Sequence, residues 1–198
     1  MKKRFTLFVT LALLFASQAN AQYCYQYWYN YGGCYIDNVT FGTINNSSSY
    51  QYYGGYDDYS YLSTSVYKGL SYDLTIKGYS WWGDNRFKVW IDWNDDKTFS
   101  ASEVVYDMQY SATSNSTPYT QSISIPATAV SGNVRMRIVY CPYWENYVLD
   151  DICSYGTYGY NYVETEDYTV TIIQPPAIDL DISAVTPEVA KMEQTRLR

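Results

Sequence analysis

"LSYDLTIK", residues 70–77, decides the fold class. Leu70, Tyr72, Leu74 and Ile76 share one parity; Ser71, Asp73, Thr75 and Lys77 share the other. Successive side chains of a β-strand point to opposite faces, so this alternation describes a strand with one face on a core and one in water. "NVRMRIVY", residues 133–140, repeats it: Val134, Met136, Ile138 and Tyr140 alternate with Asn133, Arg135 and Arg137. "RFKVWID", "TQSISI" and "EDYTVTII" read the same way, and "WGDN", "NDDK", "SATSNSTP" and "AVSGN" supply turn chemistry between them. No amphipathic helix is legible before the C-terminus. Many short strands without helices predict an all-β chain, an antiparallel β-sandwich of jelly-roll or Ig-like type.

The ends have a different character. "MKKR" followed by the apolar run "FTLFVTLALLFA" and "ANA" at residues 19–21 reads as a secretory signal peptide over residues 1–21. The run is too short to span a bilayer, and no second apolar segment exists. The domain is expected over residues 22–174. Pro175 and Pro176 mark a linker at 175–177, and residues 178–198 read as the truncated start of a second module or a disordered tail.

Charge and composition remove several functions. Loss of Lys2, Lys3 and Arg4 with the leader would move the net charge from −7 to −10. A chain this acidic repels nucleic acid but suits hard cations such as calcium. The chain has no histidine, which removes the commonest general base and every Ser-His-Asp or Cys-His arrangement. Four cysteines, Cys24, Cys34, Cys141 and Cys153, predict disulfides in an exported chain. Of the three possible pairings the local one is favoured: Cys24 with Cys34, and Cys141 with Cys153.

The stretch "WIDWNDDKTFSASEVV" carries the most specific chemistry. Counted from Asp92, oxygen donors fall at Asp92, Asn94 and Asp96, with the Thr98 carbonyl, Ser100 and Glu103 completing the spacing of a twelve-residue calcium loop. Lys97 stands where glycine usually makes the sharp turn. A left-handed backbone there costs a non-glycine residue roughly 1–2 kcal/mol. Such a calcium ion would be structural. The alternative is an acidic hairpin turn, with Ser100 and Glu103 forming a capping box.

In "YVETEDYTVTI", Glu164 and Glu166 share the parity of the core-facing Tyr168, Val170 and Ile172. Either the carboxylates continue an inward stripe and need partners, or the stripe ends at Tyr168 and they are solvated. Arg135 and Arg137 are candidate partners, although their parity points away from the core side. As an acid/base pair Glu164 and Glu166 have a spacing compatible with an inverting glycosidase, as any ExE strand does.

Tyrosine is the compositional outlier, with 26 residues. In "QYCYQYWYNYGGCY", Tyr23, Tyr25, Tyr27, Tyr29 and Tyr31 occupy alternate positions, and Trp28 lies among them. Rigid amphipathic rings either pave sheet edges or form a surface for sugars or proteins.

Several motifs together resemble the GEVED domain of secreted Bacteroidetes proteins. These are "YC" at 23–24, "YIDNVTFGTINNSSS" from 35, "YDDYS" from 56, "VYKGLSYDLTI" from 66, "VWIDWNDDKTF" from 89, "IPATAVSGNVRMRI" from 125 and "VETEDYT" at 163–169. The last holds Glu164, Glu166 and Asp167, with Val163 and Thr165 departing from the family's glycine and valine. The resemblance implies a noncatalytic accessory β-sandwich. The function expected is therefore a secreted binding module contacting glycan or a cell-surface protein. The alternatives are a spacer in a larger surface protein and, last, a carboxylate glycoside hydrolase.

Overall fold

The computed structural model describes residues 22–25, 33–50, 55–81, 83, 85–111, 117–142, 152–153 and 162–176. The leader, Tyr27, Trp28, Tyr29, Tyr31 and the segment 178–198 lie outside the described residues.

Nine strands run through the described residues: β1 (Cys34–Phe41), β2 (Ile44–Ser47), β3 (Tyr56–Tyr67), β4 (Ser71–Ser80), β5 (Asn85–Ile91), β6 (Val104–Ser111), β7 (Tyr119–Ser124), β8 (Gly132–Pro142) and β9 (Glu164–Ile173). One 3-10 turn, Ala101–Glu103, precedes β6. Two sheets form, with strand orders β2-β1-β4-β7 and β3-β9-β8-β5-β6. The sandwich matches expectation, but it is not wholly antiparallel. β3 runs parallel to β9, with a register shift between Tyr59 and Ser63. A parallel pair cannot be closed by a hairpin, and the connection between these two strands runs through β4 to β8.

The alternation read from sequence fills the space between the sheets. Leu74 and Ile76 of β4 meet Phe87, Val89 and Ile91 of β5, Met136 and Ile138 of β8, and Val170 and Ile172 of β9. Leu70 is the exception: it precedes β4 and is exposed. In β1 the register against β4 slips between Ile36 and Asn38, so Ile36 and Val39 both face inward despite their odd spacing. Gly78 permits a close approach between the sheets. A Cβ there would stand 2.3 Å from the Tyr140 ring.

The outer face of the five-stranded sheet is also covered. Trp90, Val139, Cys141, Ile152 and Val163 form a second buried cluster, with Phe99 and Val104 packed against it. The bond holding this cover is Cys24–Cys153, spanning 129 residues of sequence, with Cα atoms 5.4 Å apart. The local pairings are therefore corrected. Cys34 faces the space between the sheets and Cys141 the outer cluster, each buried as a thiol. Cys24 lies over the outer face beside Arg137, so the sheet separates it from Cys34.

Candidate functional site

The outer face is built on two neighbouring parities. Because Glu164 and Glu166 point between the sheets, Asp167 points outward, and Arg135 and Arg137 on β8 point the same way. The sequence offered Arg135 and Arg137 as partners for Glu164 and Glu166. The arginines pair with Asp167 and not with the glutamates. Arg137 Nε and Nη2 donate to Asp167 Oδ1 and Oδ2 at 2.7 and 2.8 Å, and Arg135 Nη1 donates to Oδ2 at 2.8 Å. Arg137 is 1% exposed and Asp167 fully buried. A fork-to-carboxylate pair is the arrangement in which buried charges best satisfy one another.

Aromatic rings close over this pair. The Arg137 guanidinium lies 5.8 Å from the Tyr56 ring centroid and 5.0 Å from that of Phe99; Arg135 lies 5.0 Å from the Tyr23 ring. Tyr56 donates its hydroxyl to Asp167 Oδ2 at 2.9 Å. Tyr23 stacks on Phe99 with centroids 5.3 Å apart and donates to Asp92 Oδ2 at 2.6 Å. Burial, then the nearby carboxylates, push both phenols well above the ordinary tyrosine range, so both remain neutral donors. Tyr23 and Tyr25 are not on a strand. They belong to a segment laid across the sheet and anchored by Cys24.

A cleft of about 350 Å³ opens between this segment, β3 and β8. Tyr25, Tyr56, Asp58 and Arg135 stand along it, with Arg137 behind them. Tyr25 is 48% exposed, and its ring centroid lies 4.7 Å from that of Tyr56.

The 92–103 loop leads away from β5 beside the cleft. Lys97 has φ 67°, the left-handed backbone its position in the spacing requires, and Asp95 has φ 58°. Asp92 is fully buried and accepts from Tyr23, from the Asp96 amide at 3.2 Å and from the Lys97 amide at 3.0 Å. Glu103 accepts from the Trp93 amide at 3.1 Å and from both the amide and hydroxyl of Ser100 at 2.8 Å. Asn94 and Asp96 are joined at 2.9 Å, and Asp96 accepts from the Thr98 amide at 2.8 Å. Lys97 pairs with Asp95, not with any of the spaced donors. The loop's own N–H groups thus occupy its two buried carboxylates, and the capping-box contact is present. Among the described residues, no group of three Asp, Glu, His or Cys side chains is placed to hold a metal ion.

Between the sheets lies a second polar group. Glu164 and Glu166 are fully buried. Glu164 accepts from the Ile36 amide of β1. Glu166 accepts from Ser48 at 2.7 Å and from Tyr168 at 2.6 Å, and Tyr168 in turn accepts from Asn46 at 2.9 Å. This network ties β9 to the opposite sheet. Burial above all, then Glu166 and Asp57 nearby, hold Glu164 well above the carboxylate range; burial, opposed by its two hydrogen bonds, places Glu166 at about 7. Asp57 on β3 shares this environment and is raised by burial. Its signal was missed because "YDDYS" shows no alternation that singles out Asp57 as inward.

The GEVED domain family model matches residues 86–171. That stretch contains the 92–103 loop, Arg135, Arg137 and the acidic strand. Comparison with curated proteins gives no match.

Proposed function

From the match of the GEVED domain model to residues 86–171, we propose that the chain is a secreted, noncatalytic binding module. It contacts glycan or a cell-surface protein through tyrosine rings displayed beside a clamped sheet. The observation that carries this reading is the outer face: an Arg137–Asp167 pair under aromatic cover, with Tyr25 left half open at the cleft. A rigid platform bearing amphipathic rings binds at low entropic cost.

A hydrolase is disfavoured by the burial of Glu164 and Glu166, which leaves neither carboxyl in contact with water or substrate. Secretion is supported by the composition of residues 1–21. Calcium as a stabiliser of the 92–103 loop is supported by the donor spacing and the left-handed Lys97, and opposed by the amides that occupy Asp92 and Glu103. The parent protein should melt higher in calcium than in chelator, and Asp92→Ala with Glu103→Ala should abolish the difference. Equal melting in both solutions removes the metal from the proposal.

Binding is tested by presenting the folded protein to immobilised glycans and to surface-protein extracts. Saturable retention on either supports the module. Retention on neither favours a spacer, a reading supported by the Tyr23 and Tyr56 hydroxyls being tied down within the domain. Among the described residues, no helix is long and apolar enough to cross a membrane.

A further inference from the structure

We propose that the cleft beside Tyr25 is a binding site for an uncharged sugar, a terminal unit or two of a neutral glycan. This rests on the binding-module reading and names its ligand class and its place.

The electrostatics come first. Two guanidinium groups, Arg135 and Arg137, face two carboxylates, Asp167 and Asp58. The cleft therefore has balanced charge. Arg137 is 1% exposed, with two nitrogens on Asp167 and the third toward Cys24 Sγ at 3.3 Å, so it forms the floor and offers nothing to a ligand. Arg135 differs. Its side chain is 21% exposed, and only Nη1 is engaged by Asp167. Asp58, 3.9 Å from that nitrogen and with its side chain 54% exposed, accepts the Ser60 amide through Oδ1. Burial opposes its charge, yet the Ser60 contacts and Arg135 keep its carboxyl below the ordinary range.

An exposed donor and an exposed acceptor thus stand side by side. An anion placed on Arg135 would meet Asp58, and a cation on Asp58 would meet Arg135. A hydroxyl both donates and accepts, so adjacent hydroxyls on one molecule satisfy both groups at once. The half-exposed Tyr25 ring beside them offers a flat apolar surface for the C–H face of a pyranose. The cleft's volume, about 350 Å³, is at the small end of ligand pockets.

The test is titration of the whole protein with neutral disaccharides (maltose, cellobiose, lactose), followed by NMR or calorimetry, with glucuronate and glucosamine as charged comparisons. At least one neutral sugar should bind saturably and more tightly than either charged one. Tyr25→Ala and Asp58→Ala should each weaken it by about tenfold. Both side chains are about half exposed, so the variants should stay folded and melt close to the parent, and Asp58→Asn should retain more binding than Asp58→Ala. Tighter binding of a charged sugar, or no binding of any neutral one, overturns the inference. Unchanged binding by both alanine variants overturns the cleft as the site and leaves the binding module standing. Protein binding without sugar binding does the same.

Discussion

Glu166 makes this fold less stable as pH rises, against the behaviour of most carboxylates. Its carboxyl lies between the sheets, where burial lifts it from an ordinary 4.5 to about 7 despite donation from Ser48 and Tyr168. Between those values the folded state holds a proton that the unfolded chain has released. The unfolding free energy therefore falls as pH rises through this window. The stabilisation is fully present below about pH 4.5 and lost by about pH 7. At about 1.4 kcal/mol per pH unit, that interval corresponds to about 3 kcal/mol. Glu166→Gln replaces the acid with a neutral group of the same shape, so its stability should lack this component. Denaturant unfolding of parent and variant across the window measures the difference curve directly. Glu166 also helps to raise Glu164, so Glu166→Gln lowers the Glu164 contribution as well, and the difference curve reports the coupled pair. A difference curve flat from about pH 4.5 to about pH 7 would refute the buried-acid reasoning.

Asp167→Ala leaves Arg137 buried without its partner and should cost about 3–5 kcal/mol, read by denaturant midpoint. Replacing both arginines with methionine alongside Asp167→Leu should recover much of that loss, because no charge remains to be buried. Reduction of Cys24–Cys153, or Cys24→Ser with Cys153→Ser, should lower stability by about 2–5 kcal/mol, since the bond closes most of the chain. The same reduction should expose the Tyr23 and Tyr25 segment to protease. Gly78→Ala drives a methyl group into the Tyr140 ring and should destabilise by about 1–3 kcal/mol, with altered tyrosine near-UV circular dichroism as its marker.

The period of two in "LSYDLTIK" and "NVRMRIVY" was sufficient to place Leu74, Ile76, Met136 and Ile138 in the core, because it depends only on the local pleat. The same local rule put Glu164 and Glu166 on the parity of the core-facing Tyr168, but left open whether the inward stripe continued that far. β3 was harder to read. An edge strand buries little of either face, so "YDDYSYLSTSVY" shows weak alternation, and its parallel pairing with β9 leaves no local mark. β8 misled in the opposite sense. Its polar parity implied water, whereas Val139, Cys141 and Arg137 lie beneath the covering segments.

Parity and donor spacing are properties of short stretches; they determined the sandwich, and they offered the inward carboxyls and the left-handed turn at Lys97 as one of two readings each. Partner choice belongs to the tertiary structure alone. Cys24 meets Cys153, Arg137 meets Asp167, and Tyr23 meets Asp92 across separations that no local pattern encodes. The physical reason is that a sheet divides space into two sides. Which distant segment arrives on a given side depends on how every other strand has packed.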